Sequence, residues 1–191
     1  MENNLEFQLG GSWQFSKKIY AALLVGREGD ANKAELSAEY TLSKNRVLEV
    51  LSRLACEAHA RQSVLTGTAD VPEGDLLAGL THVADDPAAV NPVKLIEFLS
   101  QRAGVLVPRG VGVYTFPHRM FQEYLSACWF TQQPDHPEGL AKLCREDPNR
   151  WREVALLAGA KAARGQAAAI WHLAEALCPS PAAEAEPGMP D

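Results

Sequence analysis

Long apolar runs are missing from this chain: none approaches the roughly 18 residues that a membrane-crossing helix needs. The opening stretch MENNLEFQLGGSW has neither a basic start nor an apolar core, so it does not read as a secretory signal. Basic residues are outnumbered, with 18 Lys and Arg against 24 Asp and Glu and a net charge of -6. Binding a phosphate backbone needs clustered Lys and Arg, so this balance speaks against a protein whose main business is nucleic acid. It leaves room for a small local basic patch. Cysteine is sparse: Cys56, Cys128, Cys144 and Cys178 are far apart and form no CxxC pair. That usage fits reduced, buried or half-buried thiols in a cytoplasmic protein.

Catalytic and metal motifs are missing too. There is no HExxH or paired-ligand spacing among His59, His82, His136 and His172, and no GxSxG around a nucleophile. No GxxxxGK[ST] string exists to cradle a nucleotide's phosphates; Leu65-Thr66-Gly67-Thr68 lacks both the Lys and the spacing. We find no internal repeat. These gaps point to a non-catalytic protein without a metal site.

What is present is an ordinary globular composition, 47% hydrophobic and 22% charged over 191 residues. That length suits one domain or two small ones. Trp13 to Val25 has helical apolar spacing, and Gly29 to Leu42 is a polar link. A helix is expected from about Lys44 to Arg61, with Ser43 as N-cap. Its buried stripe is Val47, Val50, Leu51, Leu54, Ala55 and Ala58, and Glu49 and Arg53 pair on the wet side. Ser63 to Asp70 reads as a loop or a short strand. Asp70 is an N-cap candidate for a second helix that carries Leu76, Leu77 and Leu80 and ends at Asp85-Asp86-Pro87. Asn91 caps a third helix, with Val93, Ile96, Phe98, Leu99 and Ala103 as its apolar residues and Gly104 as its stop.

The most informative stretch is Val105 to Phe130. Val105-Leu106-Val107 and Val113 to Phe116 are β-rich runs, with turn chemistry in Pro108-Arg109-Gly110-Val111-Gly112. Pro117 suits a helix boundary, and a helix is expected to start near His118. Phe121, Leu125, Cys128 and Trp129 share one face, with Tyr124 beside it, and Phe121, Tyr124, Leu125 and Trp129 read as core. Gln122 and Glu123 cap or bridge helices. After a break at Pro134 to Pro137 come helices over Leu140 to Arg145 and, past an Asp147-Pro148 break, Trp151 to Ala163. Gln166 to Leu177 is one more amphipathic helix, with Ile170, Leu173 and Leu177 on one side. Trp151 and Trp171 read as core anchors. Arg145, Arg150, Arg152, Lys161 and Arg164 tint this part basic, as a solvated face or a partner surface. The Pro- and Ala-rich end from Pro179 reads as disordered.

The string Tyr114-x-Phe116-x-His118-Arg119-x-Phe121-Gln122-Glu123-Tyr124-Leu125-x-Ala127 closely resembles the end of the winged-helix domain in NACHT-type STAND ATPases. These are nucleotide-switched signalling proteins related to NOD-like receptors. Leu51-x-x-Leu54-Ala55 resembles the first helix of that domain, and Arg102-x-Gly104-x-Leu106 the approach to its wing. Trp151-Arg152-Glu153-Val154-x-Leu156-Leu157-Ala158-Gly159 resembles the opening of the helical domain that follows. The resemblance implies a mainly α fold: a winged-helix domain of three helices, a β-hairpin wing and a following helix, plus a small C-terminal helical segment. The expected divisions are 1–42, a leader and one helix that closes a preceding helical domain; 43–132, the winged helix; 133–178, a helical fragment; and 179–191, a disordered tail.

A regulatory role is implied by the same resemblance, in which the chain senses the ADP or ATP state of a NACHT domain, in cis or in trans. His118 is the candidate contact to the β-phosphate of ADP held by that partner; Arg119 is a candidate for added charge. The chain alone is expected to bind no nucleotide, since the phosphate-cradling motif is missing. The competing reading is a DNA-binding winged helix. Its recognition helix would offer Lys94, Gln101 and Arg102, and its wing Arg109.

Overall fold

A computed structural model describes residues 44–83, 90–162 and 167–178. The expectations for the leader, for the Ser43 cap and for the tail lie outside these residues. The chain divides into two compact units, 1–129 and 130–191.

In the first unit, helix α1 spans Lys44–Arg61, as expected from its spacing. Val47, Leu48, Leu51, Leu54, Ala55 and Ala58 are buried, while Val50 is half-buried. Arg53 pairs with Glu57 at 2.7 Å, a turn further on than Glu49. Strand β1 is Asp70–Pro72 and helix α2 is Glu73–Leu80. Asp70 is therefore not a helix cap: it lies in a strand, and Pro72 stands before α2 without any side-chain cap. A strand of only three residues is set by its partner, not by its own propensity. Helix α2 stops at Leu80, well before Asp85-Asp86-Pro87, which falls outside the described residues.

Helix α3 is Pro92–Glu97, capped as expected: Asn91 Oδ1 accepts from the Val93 and Lys94 N–H groups at 3.1 and 3.2 Å. It then widens into a π-helical turn over Phe98–Arg102, where the Ala103 N–H donates to Phe98 O at 2.9 Å. This extra residue per turn shifts the buried face. Leu95, Ile96 and Leu99 face inward, whereas Val93 is exposed. Gly104 ends the helix at φ 63°, a conformation that a side chain disfavours.

Strands β2, Val107–Gly110, and β3, Val113–Thr115, form the wing. The turn is thus only Val111-Gly112; Pro108, Arg109 and Gly110 belong to β2, and Val105 and Leu106 are core residues ahead of it. The sheet order is β1-β3-β2, all antiparallel, with Asp70 and Val107 flanking Thr115. Pro72 and Pro108 sit on the two edge strands, where the missing N–H does no harm. The register slips between Pro108 and Gly110, which makes Arg109 the extra residue of a bulge. Helix α4, Arg119–Phe130, closes the unit.

The second unit holds α5, Glu138–Glu146, α6, Pro148–Ala162, and α7, Ala167–Leu177. Its core includes Leu140, Ala141, Cys144, Trp151, Val154, Ala158 and Leu173. Trp151 meets Phe130 edge-on, with centroids 5.5 Å apart. Trp171 is no core anchor: it is 68% exposed. Among the described side chains of α7 the buried one is Leu173, and Trp171 lies off that face. Among the described residues no helix is long and apolar enough to cross a membrane.

Candidate functional site

The corner between β3 and α4 carries the candidate residue. Phe116 and Phe121 are both buried and stack on each other, centroids 6.2 Å apart at 27°. Pro117 and His118 lie between them in sequence. With the aromatic rings turned inward, His118 stands exposed at the start of α4. Its backbone carbonyl closes the first turn, accepting from the N–H groups of Phe121 at 3.0 Å and Gln122 at 3.3 Å. The first N–H groups of a helix lack intrahelical partners, and the helix dipole puts a partial positive charge there. An exposed imidazole at that place can donate a hydrogen bond to an anion.

Arg119, the other expected contributor, is engaged within its own helix. Its Nε donates to Glu123 Oε1 at 2.7 Å, and Glu123 is itself buried. The corner therefore presents His118 with Arg119 held back along α4.

Beneath the corner lies a buried polar cluster that the spacing of the chain gives no sign of, apart from the expectation that Gln122 bridges helices. Gln122 and His59 are both 0% exposed. Gln122 Oε1 accepts from the Ala69 N–H at 2.8 Å. That bond orients the amide, so Nε2 donates to His59 Nδ1 at 3.0 Å and to Gln62 Oε1 at 3.4 Å. With Nδ1 accepting, the His59 ring proton resides on Nε2. A long-range pairing of two polar side chains leaves no periodic mark; a Gln on the inner face of an apolar helix is the one hint available.

The residues expected of a DNA-binding surface are arranged otherwise. Lys94, Gln101 and Arg102 are exposed, but the last two fall in the π turn. Arg109 reaches across β3 to Asp70 Oδ1 at 3.0 Å and to Thr68 O at 3.1 Å. Of the C-terminal cations, Arg145 donates to Ala176 O, Arg150 to Asp147 and Lys161 to the Thr131 hydroxyl. These bonds fasten helix ends within the second unit. Arg164 lies outside the described residues.

A separate cleft of about 230 Å³ opens where α2 crosses α1, walled by Arg46, Glu49, Val50, Arg53, Gly79, His82 and Trp129. Trp129, expected in the core, is only half-buried because it forms part of this wall. Among the described residues no group of three or more His, Cys, Asp or Glu could hold a metal ion. Burial, with help from Glu57, pushes the Cys56 thiol up to about 12, and burial raises Cys144 too. Cys178, by contrast, is exposed.

Three helices, a small antiparallel sheet with a projecting hairpin and a helix running on from that hairpin make a winged helix. Residues 25–130, more than half of the chain, match the family described as the winged helix-turn-helix domain C-terminal to NACHT, and the protein belongs to that family. Comparison with curated proteins finds no match, and comparison with solved structures finds none.

Proposed function

We propose that this protein is a non-catalytic regulatory module that packs on a NACHT nucleotide-binding domain and reads whether ADP or ATP is bound there. The observation that carries this reading is His118 itself. It is exposed, it stands at the mouth of a twelve-residue helix, and it lies in a chain whose family is found C-terminal to NACHT. In this reading the imidazole donates to the β-phosphate of ADP held by the NACHT domain. The α4 N-terminus adds a favourable field. The nucleotide comes from the partner, whether joined in the same polypeptide or separate. The module then shifts a two-state equilibrium because its contact exists in only one state.

The test is the affinity of the chain for an ADP-loaded NACHT domain encoded in frame with it or beside it. A hydrogen bond to a charged group contributes about 1.5–3 kcal/mol, so His118→Ala is expected to weaken docking roughly 10- to 100-fold. Equal docking by mutant and wild type would rule out the phosphate contact.

A further inference from the structure

The backbone of Ala69 is gripped from both sides of the corner that presents His118. Its N–H donates to Gln122 Oε1 at 2.8 Å, and its carbonyl accepts from Thr115 Oγ1 at 2.9 Å. Thr115 lies three residues before His118 and Gln122 four residues after it. One hydroxyl carries one proton. With that proton on the Ala69 carbonyl, the 2.7 Å contact between Thr115 Oγ1 and Thr68 Oγ1 is donated by Thr68. Both grips are buried. Both are also anchored behind: Gln122 to His59 on α1, and Thr115 by its place in the central strand β3, paired to Asp70 and Val107.

From this geometry we infer that Thr115 and Gln122 are positioning residues, which hold the β3–α4 corner on the Ala69 backbone and thereby set where His118 is presented. The inference rests on the phosphate reading of His118 and adds to it the parts that aim the imidazole. A loop held only by its stacked aromatics could pivot about the Phe116–Phe121 pair. Two hydrogen bonds to the backbone of one buried residue, to the peptide groups on either side of its Cα and from residues on either side of His118, remove that freedom. A contact made by one imidazole to one phosphate oxygen tolerates little misplacement, so loosening the grip weakens it without unfolding the domain.

Thr115→Val keeps the shape and the β-branch but loses the hydroxyl; Thr115→Ser keeps the hydroxyl. Docking of the full chain onto the NACHT domain is measured with ADP and with no nucleotide, beside amide exchange at Arg119 to Phe121. Thr115→Val is expected to weaken docking to the ADP-loaded form about tenfold, the value of one well-made hydrogen bond to a charged group. It leaves docking to the empty form unchanged and speeds exchange at the corner. Thr115→Ser restores both. In a His118→Ala background Thr115→Val has no further effect, because the group being aimed is gone.

Gln122→Glu serves as a second variant: its carboxylate still accepts from the Ala69 N–H, and His59 keeps the anchor by placing its ring proton on Nδ1 and donating. It is expected to keep the ADP dependence, and loss of that dependence in a folded Gln122→Glu overturns the role of Gln122. Docking by Thr115→Val that falls equally with and without ADP overturns the inference, because that pattern is general destabilisation. Unchanged exchange and docking in Thr115→Val, with His118→Ala still impaired, overturns the grip while sparing the phosphate contact. Normal docking by His118→Ala overturns the phosphate contact and the positioning role with it.

Discussion

The two units of this chain solve the problem of internal order differently. In residues 44–129 polar groups are taken inside: Ser52, His59, Thr115, Gln122, Glu123 and Ser126 are all buried, and all but Ser52 have a hydrogen-bond partner. Among the described residues of the second unit, the buried set is apolar throughout, and its charged groups work at helix ends, as Arg145 and Arg150 do. Apolar packing tolerates small shifts of one helix on another, whereas a buried hydrogen-bond set has one satisfied arrangement. The first unit therefore has the means to hold a single side chain in place. The second has the means to be a stable body of helices. The candidate site lies in the first unit, where the polar interior is.

That contrast can be broken by substitution. Trp151→Ala in the second unit removes a buried ring that meets Phe130, and is expected to cost about 3–5 kcal/mol in urea unfolding. Gln122→Leu in the first unit fills the space but strands the Ala69 N–H and the acceptors on His59 and Gln62. Its expected cost is about 2–3 kcal/mol, and a neutral result would show that the polar cluster is not satisfied as described. Trp171→Ala and His118→Ala, both at exposed positions, should each stay within about 0.5 kcal/mol of wild type.

Thiol chemistry sharpens the same picture at lower amplitude. In the native protein a thiol reagent at mild alkaline pH is expected to label Cys178 rapidly. Cys56, Cys128 and Cys144 react only on unfolding, because they are buried and burial holds Cys56 at about 12. Fast labelling of a second thiol would contradict the core.

The smallest effect concerns His136. Burial lowers its pKa below the ordinary 6.5, against the upward pull of Glu138 and Asp135, and its Nδ1 has no hydrogen-bond partner. The unfolded chain thus binds this proton more readily than the folded one. Stability of the second unit is full above about pH 6.5 and falls as the pH drops below it. His136→Gln should flatten that slope, which urea melts between about pH 5 and 7.5 would reveal.

Much of the fold was legible in the chain because its signals are local. The bounds of α1 follow from its apolar spacing, the Asn91 cap and the Gly104 stop from side-chain chemistry, and the hairpin from β-rich runs around a turn. The exposed place of His118 follows from Pro117 and the two Phe residues that straddle it. What escaped depends on distant partners. Strand β1 exists because β3, more than forty residues away, pairs with it; alone, Asp70-Val71-Pro72 looks like the start of a helix. The π turn depends on how α3 meets Val105 and Leu106, which both bond to Leu99 O. Trp171 shares its helix with Leu173, and apolar content alone does not say which of the two turns inward. The grip on Ala69 joins residues 46 and 53 positions apart, a separation at which no pattern in the chain is diagnostic.

In the proposed function this winged helix adds a phosphate contact to a nucleotide held elsewhere. Linkage makes it measurable from the nucleotide's side: if ADP tightens docking, docking tightens ADP by the same factor. The decisive measurement is the ADP affinity of the isolated NACHT domain with and without saturating chain. ADP is expected to bind more tightly with the wild-type chain, and the gain to be cut about tenfold or more with His118→Ala. An ADP affinity that does not change when the chain is added would contradict the claim.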